Sequence, residues 1–189
     1  LMLSTKILSY VTFIYLLSTL FYLCYLTFQN ETIGKIATGV TMSGLTGHIV
    51  SFLLRWKESY DLGYGHIPLS NQFESMVFFA MVIVFIYLAL EFKYKIRTIG
   101  AFVTPFASIL LAMTTITKSF SCEIQPLIPA LQSNWLTYHV ITCFLGYAAF
   151  TVSCGVSVMF LIKLRGQSQG IFVRLLPDIN ILEDINYKA

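Results

Sequence analysis

The chain has 189 residues, of which 57% are hydrophobic and only 11% charged, with a mean hydropathy of +0.76. An ordinary soluble domain carries about 25% charged residues, so these side chains cannot cover a water-soluble globule, and the protein belongs in a lipid bilayer. With 16 Phe, 11 Tyr and 2 Trp the chain is not disordered. Its net charge of +3, spread over loops on both sides of the membrane, leaves no footprint for nucleic acid.

Windows of about 20 residues predict five spans in chain order: Ile7 to Phe28, Ile33 to Leu54, Phe73 to Leu90, Ile99 to Thr117 and Trp135 to Leu164. The fifth is long enough to tilt or to project a turn beyond the hydrocarbon. An irregular backbone cannot face lipid, so each span must be a helix. The fold class is therefore all-α, a polytopic membrane bundle of five transmembrane helices over residues 1–164. Residues 165–189 follow as an inner loop, polar from Arg165 to Gly170, and an amphipathic segment. In that segment Ile179, Leu182 and Ile185 repeat at helical spacing, with Glu183, Asp184 and Lys188 between them, which predicts a short interfacial helix. The chain begins with Leu and breaks off at Ala189 as if a further helix were about to begin, so it reads as a piece of a longer protein.

Basic residues orient the bundle. With the amino terminus outside, the inner loops hold seven (Lys35, Lys93, Lys95, Arg97, Lys163, Arg165 and Arg174) and the outer segments four (Lys6, Arg55, Lys57 and Lys118). The short cluster from Lys93 to Arg97 weighs most, because short loops carry the orientation signal. Arg55 to Gln72 and Lys118 to Asn134 are then outer loops, with Trp56 and Trp135 marking their interfaces.

Four cysteines, Cys24, Cys122, Cys143 and Cys154, are too few and scattered for a disulfide framework, and no C-x-x-C pair is present. Spans three to five carry almost no ionisable group away from their ends, which leaves no carboxylate-lined path for a coupled ion. The three histidines remain. His48 lies on a stripe of small residues, Ala37, Thr41, Gly44, Gly47 and Ser51, that admits a close helix neighbour; it is either hydrogen-bonded across that contact or a buried haem ligand. His66 precedes a capping pattern in which Asn71 is the N-cap of the third span and Glu74 stands three residues on, approached through Pro68. His139 lies one turn from Trp135, with Cys143 and Gly146 at further turn spacings. It is either an interfacial anchor beside Trp135 or an imidazole ligand for haem iron, with Gly146 leaving room for something flat.

Three blocks then carry a resemblance. Gly65-His-Ile-Pro-Leu-Ser-Asn-Gln-Phe-Glu-Ser75, Glu123-Ile-Gln-Pro-Leu-Ile-Pro-Ala-Leu-Gln-Ser-Asn-Trp135 and Trp135-Leu-Thr-Tyr-His139-Val with Phe144-Leu-Gly-Tyr-Ala-Ala-Phe150 resemble the cytochrome c biogenesis proteins of the CcsA/ResC type, the haem-handling subunits of System II. The likeness runs through Leu182-Glu-Asp-Ile-Asn-Tyr187, similar to the lead-in to that family's next membrane helix. It implies haem b as transported substrate, held on the outer face for attachment to the thiols of apocytochrome c, and His139 as the first outer histidine of the family. Trp135, and more weakly His66, would assist in binding it, and His48 is the weaker alternative to His139 as the ligand. The tryptophan-rich WWD segment and two further histidines of the family lie beyond this sequence, so the resemblance implies a subunit of a haem-attachment complex with no complete active site in this chain. A CcsB/ResB-type membrane subunit and apocytochrome c are the implied partners, beside the lipid bilayer. A bacterial inner membrane with the outer loops in the periplasm is expected ahead of a thylakoid membrane. A transporter or permease subunit without cofactor, and a structural scaffold, are the competing roles.

Overall fold

The computed structural model describes residues 2–117, 122–127, 129, 132–165 and 175–188. Five helices are long and apolar enough to cross a membrane: α1 (Leu3–Phe28), α2 (Glu31–Asp61), α3 (Gln72–Tyr94), α4 (Gly100–Ile116, entered through a 3₁₀ turn at Arg97–Ile99) and α5 (Asn134–Arg165). A sixth, α6 (Ile179–Lys188), is short and amphipathic. The all-α polytopic bundle with an extra carboxy-terminal helix is thus what the chain forms.

α1 and α2 form a tight antiparallel pair. Gln29 closes α1 in the left-handed region (φ 51°), its N–H donating to the Tyr25 carbonyl, and the Asn30 side chain at once caps α2 by accepting from the Thr32 N–H at 2.9 Å. The small-residue stripe of α2 is the surface on which α1 lies. A Cβ added at Gly44 would sit 2.6 Å from the Tyr15 ring, and one at Gly34 would meet the Tyr25 ring at 2.9 Å. Hydroxyls tie the seam where apolar contact alone gives lipid-embedded helices little preference for each other: Ser18 bonds Thr41, and Thr19 reaches Thr104 and Ser108 of α4. α3 fills the centre, with Val77, Phe78, Val82, Ile83 and Tyr87 buried on several sides.

The structure extends α2 and α3 beyond their predicted ends, which places two charged residues inside the bundle that the sequence reading left in loops. α2 continues past Leu54 for two turns and ends where Gly63 (φ 80°) donates to the Tyr60 carbonyl and Tyr64 to the Ser59 carbonyl, a Schellman closure that only a residue tolerant of positive φ makes cheaply. Arg55 is thereby buried, 4% exposed, with its Nε donating to Glu74 Oε1 at 2.9 Å and an Nη to the Cys122 carbonyl at 3.0 Å. At the other end Glu91 is also 4% exposed; Tyr22 and Tyr87 donate to its carboxylate at 2.7 and 2.5 Å, Thr38 donates as well, and Arg97 Nε stands 3.5 Å away. A hydropathy window counts each charge as an obstacle. It cannot see the partner that makes burial tolerable.

α6 runs antiparallel to the end of α5: Lys163 donates to the Leu176 carbonyl at 2.6 Å, while Asn186 meets Ser153 and Ser157 farther along α5. Leu182 and Ile185 are the buried edge. On the solvent edge Lys188 donates to Asp184, and that hydrogen bond holds the Asp184 carboxyl below its ordinary range.

The two segments expected to share the outer face do lie at one end of the molecule. His66, Asn71 and Arg55 from the first bond the carbonyls of Gln125, Glu123 and Cys122 from the second. Lys118 falls outside the described residues, as do Arg174 and the loop 166–170.

Candidate functional site

His139 and Trp135 stand on the outward face of α5's first turns. Trp135 is 83% exposed and His139 is exposed. The His139 ring engages a side chain of its own helix, with Cys143 Sγ 3.5 Å from Nε2, a weak contact that leaves the imidazole available. Next along the stripe, nothing lies within 4 Å of where a Gly146 Cβ would be. An accessible imidazole, an unpacked indole plane and an open glycine on one helix face fit one side of a flat iron-bearing ring.

His48 is placed differently. It is fully buried, the Tyr15 hydroxyl lies 3.3 Å from its Nδ1, and its Nε2 has no hydrogen-bond partner among the described residues. This is a histidine bonded across the α1–α2 contact, and the bundle would have to part for a planar macrocycle to reach it. His66 is buried too, 6% exposed, and both ring nitrogens face carbonyl oxygens, Ile67 at 3.0 Å and Gln125 at 2.9 Å. A neutral imidazole donates to one acceptor at a time. Either nitrogen would have to leave a carbonyl to bind iron, so the geometry gives His66 the work of joining the two outer segments.

Asn71 caps α3, accepting from the Glu74 N–H at 2.8 Å. Glu74 does not return to the Asn71 N–H as a capping box would have it. It turns back one residue further, taking the Ser70 N–H and hydroxyl, each at 2.8 Å, on one oxygen and Arg55 on the other. The carboxylate thus closes the start of α3 and neutralises the cation buried at the end of α2.

A cleft of about 870 Å³ opens at this same end, between the close of α2 with its following loop and the first turns of α5. Trp56, Tyr60, Tyr64 and Tyr138 line it together with His66, Leu136 and Ile141, while Trp135 and His139 do not. Sequence reasoning singled out Trp56 only as an interface marker. The signal that would have found this wall is the turn spacing of Trp56 and Tyr60, hidden by ending the helix at Leu54. Among the described residues no cluster of three or more metal-ligating side chains is present.

Residues 69–189 match the family described as cytochrome C assembly protein. The chain is 35% identical over 132 residues to the cytochrome c biogenesis protein CcsA of Chlorella vulgaris, covering 65% of this chain and 40% of that protein. It is 37% identical over 140 residues to the CcsA protein of Microcystis aeruginosa, covering 71% and 40%, and 39% identical over 124 residues to that of Heterosigma akashiwo, covering 62% and 36%. The chain therefore spans about two fifths of the length of these relatives. These relatives come from cyanobacteria and algae, photosynthetic organisms that contain thylakoid membranes, and this overturns the expectation that set a bacterial inner membrane ahead of a thylakoid. Hydropathy and basic residues report a bilayer's thickness and sidedness, and they carry no mark of which membrane it is.

Proposed function

The chain belongs to the cytochrome c assembly protein family, and we propose that its part in that assembly is to hold haem at the outer end of α5. The observation that carries this is the exposed imidazole of His139, turned out of the bundle between an unpacked Trp135 and an open Gly146. Haem bound there supplies iron for one imidazole ligand and the vinyl groups that are joined to apocytochrome thiols. The residues of this chain have simpler tasks. His139 fixes the position of the ring through a nitrogen, Trp135 lies against it as a plane, and α5, clasped by α3, α4 and α6, keeps both in place. This stripe offers one imidazole, so any further ligand would come from outside it. A CcsB/ResB-type membrane subunit and apocytochrome c are the partners that complete the reaction. The buried charges support this reading over a coupled transporter, since Arg55 and Glu74 are paired with each other at one end and Glu91 is bonded to Tyr22 and Tyr87 at the other.

The test is His139→Gly in the full-length protein. It is expected to lose or shift the Soret band at an unchanged level of membrane-inserted protein, and added imidazole should restore part of the band by entering the vacated space. An unchanged haem spectrum in His139→Gly, with loss in His48→Gly, would move the ligand into the bundle and defeat the assignment.

A further inference from the structure

We propose that His139 and Cys143 form a two-ligand site for a free zinc ion at the outer end of α5, and that zinc held there keeps haem off His139. The chelate stands on its own geometry, while the competition rests on the haem reading above.

The two residues stand one turn apart on a single helix face, the spacing at which the paired histidines of H-E-x-x-H hold zinc. The Cys143 thiol is free and half-buried, and the His139 ring is exposed. Its sulfur lies 3.5 Å from Nε2, nearer than the 3.9 Å to Nδ1. Zinc takes imidazole nitrogen at about 2.0–2.1 Å and thiolate sulfur at about 2.3 Å, so a tetrahedral angle of about 109° between them sets the two atoms roughly 3.5 Å apart. The pair already has that bite. A linear two-coordinate cuprous ion would need the atoms farther apart, at the full sum of the two bonds, and calcium and magnesium take oxygen instead. On binding, the thiol gives its proton to water and bonds as thiolate, while the imidazole bonds neutral through Nε2 and keeps its proton on Nδ1. Water fills the remaining two positions. The ion is therefore exchangeable and held less tightly than in a four-ligand structural site.

Position lets a hydrated ion reach the pair. α5 has 32 residues, which at about 1.5 Å each is well beyond the roughly 30 Å of hydrocarbon. With Lys163 at the inner border, the about 20 residues that cross the hydrocarbon reach back to Cys143, so His139 stands a turn farther out, where water arrives. The same geometry makes zinc and haem exclusive. The four ring nitrogens of haem fill the equator of its iron and leave protein ligands the two axial positions, on opposite faces. Nε2 and Sγ, 3.5 Å apart, lie on the same side of any metal between them. Iron in a porphyrin can therefore take Nε2 without Sγ, and only a free ion takes both. Cys143 thus gives zinc a second bond that haem cannot use.

The experiment uses the full-length protein in nanodiscs, with Cys24, Cys122 and Cys154 changed to serine and a phosphine reductant present. Cobalt(II), a coloured stand-in for zinc, is titrated into the haem-free protein. A thiolate-to-cobalt charge-transfer band in the near ultraviolet should appear and be erased by added zinc. Cys143→Ser should lose that band and bind zinc more than about 100-fold more weakly, since losing a ligand costs more than the roughly 10–100-fold that losing a ligand's outer partner costs. His139→Gly should weaken zinc to a similar degree. Cys143→His rebuilds a chelate at the same spacing, so zinc binding should return without the charge-transfer band, which a merely misfolded variant would not show. In the haem-loaded parent, zinc should lower the Soret band, and EDTA followed by fresh haem should restore it. Cys143→Ser should keep its Soret band at the same zinc concentration. No cobalt band in the parent, or an unchanged one in Cys143→Ser, would overturn the chelate. Zinc binding that needs both residues but leaves the parent's Soret band untouched would overturn the competition. A Soret band unchanged in His139→Gly would defeat the haem reading and leave the zinc site standing.

Discussion

Asn71 shows what a single side chain decides at the outer end of this bundle. Its oxygen takes the Glu74 N–H at 2.8 Å, and losing such a cap typically costs about 0.5–2 kcal/mol. Asn71→Ala should therefore lower the unfolding midpoint in a denaturing-detergent titration by an amount in that range. Asn71→Asp and Asn71→Ser should recover most of it, because each keeps an acceptor at the same place. If both fail while protein levels stay normal, the amide is needed for something other than the helix start, and its Nδ2 contact with the Glu123 carbonyl at 3.4 Å is the place to look. The spacing of Asn71 and Glu74 was readable in the sequence as a local signal. The role of Glu74 toward Arg55 was not, since the two lie 19 residues apart and meet only once α2 and α3 have packed. The same holds for His66, whose partner Gln125 is 59 residues away.

Elements were more readable than their ends. Apolar length fixed five helices, and the stripe from Ala37 to Ser51 announced a close neighbour, which the structure identifies as α1 with Tyr15 seated over Gly44. What apolar length misses is helix that continues through paired polar residues, hence the extra turns of α2 that carry Arg55, Trp56 and Tyr60. The Tyr15–Gly44 contact makes a prediction for the pair of elements. Gly44→Val puts a branched side chain where even a Cβ approaches the Tyr15 ring to 2.6 Å, and overpacking of this kind costs about 1–3 kcal/mol. The variant should unfold at lower denaturing-detergent concentration, and Tyr15→Leu in the same chain should restore part of the loss by vacating the space. Gly44→Val as stable as the parent would mean that α1 and α2 do not pack through this seam in the membrane.

On the scale of the whole molecule, the question is which end faces out. The two ends differ chemically. One joins the segments around Arg55–Ser70 and 122–127 and carries the cleft and the His139 stripe. The other gathers Lys93, Lys95 and Arg97, with Arg97 reaching Glu31 at 2.5 Å and Glu91 at 3.5 Å. Part of the basic cluster is thus engaged in ion pairs. The positive-inside rule counts Lys and Arg rather than net charge, so Glu31 does not cancel the vote. The cleft end should then face outward. With the four cysteines changed to serine, Asp61→Cys and Lys93→Cys place single exposed thiols at opposite ends of the bundle. In sealed right-side-out vesicles a membrane-impermeant maleimide should modify Asp61→Cys directly and Lys93→Cys only after permeabilisation. The reverse pattern would turn the bundle over and carry His139 and the cleft to the inner side. The proposed haem site at His139 would then lie on the wrong side and fail with the orientation.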